Sequence, residues 1–303
     1  MTETTLAPKA RGRSRVEGVT LVFFTLAVII GGSNAVAVRF SNVELPPFWG
    51  AAMRFATAAV LFWIILVGRG ISVPKGRALA GHILYGSLAV GGSYAFLYWA
   101  LLHVHAGLAM IVLALGPLLT MFLALAHGLE RFQPRALAGA LISLAGIVIA
   151  AGLDPVNAVP LPALLALVAG AVCIAEGSVL FKIFPKSDPV ATNAVAFTTG
   201  AALLTVVSLL AGERWGLPSK AATWAAFVYL ATVGSVVLFY LYLFILARWT
   251  ASATSYSFLL FPVATTIIAA WLAKEMVTPH FLVGGAVVLA GVWLGALSQT
   301  PRS

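Results

Sequence analysis

Ten long apolar stretches constrain the fold of this chain more than any other feature of its sequence. They lie at approximately 18–38, 47–67, 78–102, 106–127, 134–151, 160–182, 189–211, 221–246, 250–272 and 279–298. An α-helix of ~20 mostly apolar residues crosses a hydrocarbon core about 30 Å thick. Proline and glycine mark the breaks, as at Pro46-Pro47. The sequence predicts an all-α membrane protein with ten transmembrane helices and no room for a soluble domain.

The composition supports this prediction and excludes the soluble classes of protein. Hydrophobic residues make up 61% of the 303 residues and charged residues 9%, whereas soluble domains have roughly 45–50% and 25%. So few charges exclude a water-soluble enzyme, a nucleic-acid-binding module and a disordered chain. The single cysteine, Cys173, excludes an intramolecular disulfide. Since no Walker motif, glycine-rich phosphate loop or catalytic triad context occurs, we expect no enzymatic activity, cofactor or metal site.

The positions of lysine and arginine predict the orientation. With the N-terminal segment 1–17 in the cytoplasm, 13 of the 18 basic residues lie on the cytoplasmic side. The other side holds Arg39, Arg214, Lys220 and Lys274, and Arg54 lies inside a span. This positive-inside bias predicts a multi-pass inner-membrane protein with both termini cytoplasmic, ending in a tail at 299–303. The first stretch is too long for a cleaved signal peptide, so we expect a retained helix.

The chain also repeats itself. A shift of 145 residues aligns the following pairs without a gap: Pro117 with Pro262, Glu130 with Glu275, Gly139 with Gly284 and Gly146 with Gly291. Each half, 18–152 and 153–298, contains five predicted helices, and an odd number makes the second half enter the membrane from the opposite side. This predicts two inverted five-helix repeats, which are typical of secondary transporters that alternate access around a midplane site. The alternative is a duplicated scaffold without transport.

Several motifs resemble a known family. The pattern P-x12-E-x8-G-x6-G occurs in both halves, PPFWGAAMRF runs from Pro46 to Phe55, and IIGGSNAVAVRF ends at Phe40. Together they resemble the EamA-type drug/metabolite transporter superfamily, over nearly the whole chain, and within it the bacterial exporters of aromatic amino acids. The resemblance implies export of amino acids, aromatic ones in particular, by alternating access around a midplane cavity. The alternatives are an exporter of another metabolite or an organic-cation drug, and a non-transporting membrane sensor or scaffold.

Two charged residues inside spans are candidates for substrate binding, because a charge in a bilayer is expensive and usually faces a cavity or a partner. At 1.5 Å per residue, Arg54 lies about 9 Å from the start of its helix and Glu176 about 9 Å from the end of its own. The two lie toward opposite membrane faces, too far apart to bind one α-carbon together, so we expect a sequential or gating role. In the alternative, Arg54 snorkels to the interface and Glu176 is a packing residue.

Aromatic and amide residues supply the other binding candidates. Tyr94 and Tyr98 are four residues apart and share one helix face, where aromatic rings can grip a bulky substrate. Tyr242 lies in the matching helix of the second half. Asn34 follows two glycines in the first span, and Tyr256 precedes a proline in the ninth. The alternative for these aromatic residues is contact with lipid or with the membrane interface.

Two prolines are candidate hinges. Pro117 and Pro262 are expected to interrupt the fourth and ninth helices, since proline lacks the backbone N–H, although a static kink is the alternative. Glu130 and Glu275 are expected to hold helix ends. The expected partners are an amino-acid substrate and the lipid bilayer, with no nucleic acid. A monomer can suffice, and the oligomeric state is left open.

Overall fold

A computed structural model describes residues 9–103, 106–151, 160–273 and 279–297 of the chain. These residues form helices joined by turns, and no strand occurs among them. The helices are α1 (Lys9–Ser41), α2 (Pro47–Gly68), α3 (Gly76–Tyr85), α4 (Ser93–Ala100), α5 (Ala106–Leu113), α6 (Gly116–Ala126), α7 (Pro134–Ala151), α8 (Leu161–Ile183), α9 (Pro189–Leu210), α10 (Ala221–Ala231), α11 (Leu238–Arg248), α12 (Ala251–Ser255), α13 (Ser257–Ala273) and α14 (Pro279–Leu297). Glu275, the tail 299–303 and the predicted boundary between 152 and 153 lie outside the described residues.

Helical structure lies within each of the ten predicted stretches. Five regions are long and apolar enough to cross a membrane by themselves: Gly18–Ser41, Pro47–Gly68, Leu161–Ile183, Pro189–Leu210 and Ala221–Arg248. The described chain is therefore an all-helical membrane protein with at least these candidate spans. That all ten stretches cross the bilayer stays a prediction.

Two stretches contain π-helical segments that the sequence did not indicate. Gly86–Gly92 joins α3 to α4, and Thr232–Val237 joins α10 to α11. The two segments occupy matching places in the third helix of each half. Segments of this kind widen a helix by one residue per turn and frequently occur at functional sites.

The two candidate hinges behave differently. The fourth stretch breaks between α5 and α6, and Pro117 is the second residue of α6, so the interruption expected there is present. The ninth stretch breaks at Tyr256, and α13 runs through Pro262 without a break. The interruption expected at Pro262 is therefore wrong. Pro262 lies in the second turn of α13, where its missing N–H removes one backbone hydrogen bond without ending the helix. A hinge role for either proline stays a prediction.

The equivalent helices of the two halves pack antiparallel, as an inverted repeat requires. In the contact between α7 and α14, a Cβ on Gly146 would lie 2.8 Å from the carbonyl oxygen of Gly284. Likewise, a Cβ on Gly291 would contact the carbonyl oxygen of Gly139. The later glycine of each helix thus faces the earlier glycine of the other. Small residues permit this close approach of two backbones.

Helices α2 and α9 form the second antiparallel pair. The Phe48 N–H donates to Glu213 Oε1 at 3.0 Å, and Trp63 Nε1 donates to Thr198 Oγ1 at 2.9 Å. The start of α2 therefore meets the end of α9. We call the end of the bundle that holds loops 42–46 and 211–220 the upper end, and the end that holds loops 69–75, 127–133 and 184–188 the lower end.

Candidate substrate cavity

A cavity of about 60 Å³ lies between the two halves. This volume is below the range of about 300–1,000 Å³ that is usual for small-molecule sites. The first half contributes residues from α3, the π-helical segment and α4, and the second half contributes residues from α8, α11 and α13. The lining residues are Tyr85, Ala89, Tyr94, Ile174, Ser178, Leu238, Phe239, Tyr242, Phe258 and Phe261.

The cavity wall is aromatic and uncharged. Six of the ten lining residues are tyrosine or phenylalanine, and none carries a formal charge at neutral pH. Polar character comes from hydroxyl groups, and the Ser178 and Tyr242 hydroxyls are hydrogen-bonded to each other at 3.0 Å. Such a wall binds planar, apolar groups by stacking and edge contacts.

Four aromatic rings pack against one another beside the cavity. The centroids of Phe55 and Tyr94 are 4.6 Å apart, and those of Phe197 and Phe239 are 4.8 Å apart. Phe55 also contacts Phe197, with centroids 5.2 Å apart. We call these four residues the aromatic partition. Tyr94 and Phe239 also line the cavity, so the partition forms part of its wall.

A buried polar cluster lies on the other side of the aromatic partition. Arg54 Nε donates to Ser235 Oγ at 2.8 Å, one Nη donates to the Gly234 carbonyl at 2.9 Å, and the other contacts the Tyr98 hydroxyl at 3.4 Å. The Asn34 amide nitrogen donates to the same Gly234 carbonyl at 3.0 Å. We call Asn34, Arg54, Tyr98, Gly234 and Ser235 the Arg54 cluster.

The charge of Arg54 is not balanced by a carboxylate among the described residues. The side chain is only 1% exposed, and its hydrogen-bond acceptors are a carbonyl and two hydroxyls. The guanidinium carbon also lies 4.9 Å from the ring centroid of Phe55 and 5.3 Å from that of Tyr94, which gives cation–π attraction. Neutral acceptors and ring faces offset only part of the cost of burying a cation.

Glu176 lies away from the cavity. Ile174 and Ser178 are four residues apart on the face of α8 that lines the cavity, whereas Glu176, midway between them in sequence, lies about 200° around the helix from each. One of its carboxylate oxygens is 2.9 Å from His127 Nε2, at the end of α6. Glu176 therefore joins two helices near the lower end.

The structure separates the seven predicted binding residues into three groups. The Tyr256 hydroxyl donates to the Ala136 carbonyl at 3.0 Å and lies outside the cavity, as Glu176 does. The expectation that Tyr256 lines the cavity is not met, because its hydroxyl points to α7. Tyr94 and Tyr242 line the cavity, whereas Asn34, Arg54 and Tyr98 lie beyond the aromatic partition. Whether any of the seven binds substrate stays a prediction.

Some residues of this region were missed in the sequence. His127 pairs with a residue 49 positions away, which no local pattern reveals. Ser178 had a weak signal, because Gly177 and Ser178 lie near the place in the second half that matches Gly32 and Ser33 in the first. Each of these serines hydrogen-bonds a tyrosine hydroxyl, Ser33 with Tyr229 and Ser178 with Tyr242.

Two carboxylates join the halves at the upper end. Glu213, from the second half, accepts from the Trp49 N–H at 2.7 Å and so caps α2 of the first half. Glu44, from the first half, accepts from the Ser219 hydroxyl and from the Lys220 N–H, just before α10. These bonds, led by the one from Ser219, lower the pKa of Glu44 from 4.5 to about 2. Each half thus caps a helix of the other.

At the lower end Glu130 performs a similar task, because its carboxylate accepts from the Ser252 N–H at 3.3 Å at the start of α12. This contact agrees with the expectation that Glu130 holds a helix end. The described residues therefore place carboxylates of one half against helix starts of the other half at both ends of the bundle.

Comparison with protein families gives the same division of the chain. The model of the EamA-like transporter family matches residues 18–152 and 161–296, once in each half. The chain is 28% identical over 233 residues to the uncharacterized inner membrane transporter YedA of Escherichia coli, which covers 76% of this chain and 75% of that protein. It is 27% identical over 129 residues to an uncharacterized transporter of Archaeoglobus fulgidus, covering 42% of this chain and 46% of that one.

A solved structure shares the fold. The crystal structure of a protein with 24% sequence identity covers 92% of this chain and 97% of its own, with a TM-score of 0.77. At that identity the likeness shows the arrangement of the helices and not the function.

Proposed function

Because the chain belongs to the EamA-like transporter family, we propose that this multi-pass membrane transporter exports amino acids, aromatic ones in particular. The observation that carries the proposal is the cavity between the halves, whose wall holds six aromatic residues and no charged one. An aromatic side chain gains both burial and ring contacts in such a site.

The wall also argues against the organic-cation alternative. A lipophilic cation binds best beside a carboxylate, and no aspartate or glutamate is among the lining residues. Glu176, the acid considered for this role, lies on the opposite face of α8 and is hydrogen-bonded to His127. Rings alone attract cations by about 0.5–2 kcal/mol each, so a membrane-permeant cation stays the alternative that the transport assay tests.

Alternating access is the proposed mechanism. The antiparallel contacts between α7 and α14 and between α2 and α9 relate the halves by an approximate two-fold axis in the membrane plane, and the cavity lies between those halves. Rocking of one half against the other exposes such a site to each side in turn. In this proposal all ten stretches cross the inner membrane, the lower end faces the cytoplasm and both termini are cytoplasmic.

The experiment is a counterflow assay with the purified full chain in proteoliposomes. Vesicles are loaded with unlabelled substrate, and uptake of radiolabelled phenylalanine, tryptophan, lysine or tetraphenylphosphonium is measured. We expect the two aromatic amino acids to exchange fastest. Empty liposomes, and the variant Gly285→Ala at a position with no atom within 4 Å of a new Cβ, serve as controls. Absence of protein-dependent flux of phenylalanine and tryptophan would overturn the proposal. Faster exchange of tetraphenylphosphonium, after subtraction of its rate in empty liposomes, would replace it with the cation alternative.

A further inference from the structure

The Arg54 cluster contains two buried groups with unused hydrogen-bonding capacity, and these groups match the head of an amino acid. Resting on the proposed export of amino acids, we propose that Arg54 and Asn34 form a head-group site: Arg54 receives the substrate carboxylate and Asn34 the substrate ammonium. This site lies beyond the aromatic partition, outside the cavity wall itself.

Arg54 has donors to spare. A guanidinium carries five N–H groups, and three are used in the bonds to Ser235, Gly234 and Tyr98. One N–H on each terminal nitrogen remains, and the hydroxyl of Tyr94 lies within reach of this end of the guanidinium. Two parallel N–H groups on the terminal nitrogens are the fork that binds a carboxylate in bidentate fashion. A substrate carboxylate also supplies the negative charge that no described residue provides.

Asn34 has the complementary group. Its side chain is 8% exposed, and its amide oxygen is buried without a hydrogen-bond partner. The amide nitrogen is held by the Gly234 carbonyl, so the oxygen is the end left for a ligand. A buried acceptor without a partner costs free energy, and an ammonium donor relieves that cost.

The two groups are close enough to hold one α-carbon. Asn34 Nδ2 and an Arg54 Nη both donate to the carbonyl oxygen of Gly234, at 3.0 and 2.9 Å, so the two nitrogens lie within about 6 Å of each other. Residue 234 is a glycine for a local reason, since a Cβ there would collide with Asn34 Oδ1. Gly234 also belongs to the π-helical segment Thr232–Val237, the kind of irregularity common at functional sites.

Tyr94 connects this site to the cavity. Its ring lines the cavity and lies with its centroid 5.3 Å from the Arg54 guanidinium carbon. The Tyr94 ring therefore separates the Arg54 charge from the cavity, and rotation of this ring opens a path between them. The substrate side chain then stays among the cavity rings while its head group passes the aromatic partition. Near the start of each half a shift of 143 residues aligns Pro46 with Pro189, and it places Phe197 opposite Arg54. The repeat therefore supplies one such cation and fixes the orientation of the substrate.

Substrate analogues test the site in the wild-type protein. Counterflow of radiolabelled phenylalanine in proteoliposomes is measured against phenylalaninamide, which lacks the carboxylate, and against 3-phenylpropionate, which lacks the ammonium. Because a charge-assisted bond is worth roughly 1.5–3 kcal/mol, we expect each analogue to compete about 10- to 100-fold more weakly than phenylalanine. Equal competition by phenylalaninamide overturns the proposal without any variant.

Variants of Arg54 and Asn34 test which side chain distinguishes phenylalanine from each analogue. In Arg54→Gln we expect phenylalanine and phenylalaninamide to compete within about threefold of each other, and in Asn34→Ala we expect phenylalanine and 3-phenylpropionate to do so. The matched control is Asn193→Ala, because Asn193 is fully buried and its amide oxygen, like that of Asn34, has no hydrogen-bond partner. Asn193 lies near the lower end, at the start of α9. This variant is expected to keep the wild-type selectivity.

The outcomes separate the two proposals. If the wild type moves no amino acid, the proposed function fails. If the wild type moves phenylalanine but Arg54→Gln rejects phenylalaninamide as strongly as the wild type does, only the head-group site fails. Arg54→Lys replaces Arg54→Gln in this test if the glutamine variant does not fold. Lysine keeps the charge but loses the fork, so Arg54→Lys is expected to bind phenylalanine about tenfold more weakly and to reject the amide less.

Discussion

Arg54 and Glu176 are both charged residues inside apolar helices, yet their surroundings differ in every respect that bears on function. Arg54 is 1% exposed, contacts neutral acceptors and lies one ring from the cavity. Glu176 is on the face of α8 that points away from the cavity, and it is paired with His127. Two charges at similar depths in their helices therefore differ in the helix face on which they lie and in the partners that they contact.

The helix contacts that hold the two residues differ as well. Helices α8 and α6 meet at the Glu176–His127 pair. The contact related to it by the repeat, between α1 and α13, has no ion pair among its described residues. There the Gly32 carbonyl accepts from Thr265 Oγ1 at 2.8 Å, and the backbones approach closely. Both contacts join the two halves, the one beside Asn34 by close packing and the one at Glu176 by a polar pair.

The largest expected effect separates the two charges directly. We expect Arg54→Gln to lower kcat/KM for phenylalanine about 100-fold, because a bidentate charged contact is lost. Glu176→Gln keeps a hydrogen bond to His127 and is expected to change kcat/KM by less than about threefold. Counterflow rates at several phenylalanine concentrations measure both. A larger loss for Glu176→Gln than for Arg54→Gln would reverse the comparison.

The next effect concerns the packing beside Asn34. A Cβ on Gly32 would lie 2.6 Å from Ala264 Cβ and 2.9 Å from the Thr265 backbone nitrogen, so Gly32→Ala is expected to destabilise the protein by about 1–3 kcal/mol. The matched change Gly285→Ala meets open space and is expected to stabilise α14 by roughly 0.5–1 kcal/mol. Thermal unfolding in detergent measures both, and equal melting temperatures for the two variants would contradict the close contact.

A smaller effect distinguishes the cavity from the Arg54 cluster. Loss of the Tyr94 ring removes aromatic contacts worth about 0.5–1.5 kcal/mol, so Tyr94→Ala is expected to raise KM for tryptophan about 3- to 10-fold and to leave KM for alanine nearly unchanged. Tyr94→Phe keeps the ring and is the matched control. Tyr98 does not line the cavity, so Tyr98→Phe is expected to affect both substrates alike. Equal effects of Tyr94→Ala on both substrates would count against stacking.

The smallest effect concerns the carboxylate at the upper end. The hydrogen bonds from Ser219 and its neighbours lower the pKa of Glu44 from 4.5 to about 2. A depressed carboxyl pKa gives stability that is present above pH 4.5 and is lost as the pH falls through about 2. Melting temperatures of the wild type and Glu44→Gln are therefore expected to differ at pH 7 and to converge on acidification. A constant difference down to pH 2 would show that the carboxylate charge is not responsible.

The helices and their duplication were predictable because apolar length and repeated glycines are properties of the sequence itself. The pairing of Gly146 with Gly284 follows from the 145-residue shift once the halves are inverted. The π-helical segments were not predictable, since a glycine such as Gly234 is compatible with either kind of helix. Pro262 was misjudged because the cost of a proline depends on its distance from the helix start, which composition does not give.

The candidate site was only partly predictable. Helical periodicity indicates that Tyr94 and Tyr98 share a side of their helix, but tertiary packing decides that one ring lines the cavity and the other contacts Arg54. Helical periodicity also places Glu176 and Ser178 on different faces of α8, but it does not show which face points toward the cavity. The pairing with His127 depends on tertiary packing, and a single sequence has no local signal for it.

The most direct test of the central claim locates the bound substrate. A phenylalanine analogue with a diazirine on its ring is photolysed in proteoliposomes that contain the wild-type chain, and the labelled peptides are identified by mass spectrometry. We expect label on cavity residues such as Tyr94, Tyr242 and Phe258, and its loss with excess phenylalanine. Label that excess phenylalanine does not displace, or displaceable label confined to helices that do not line the cavity, would contradict the account.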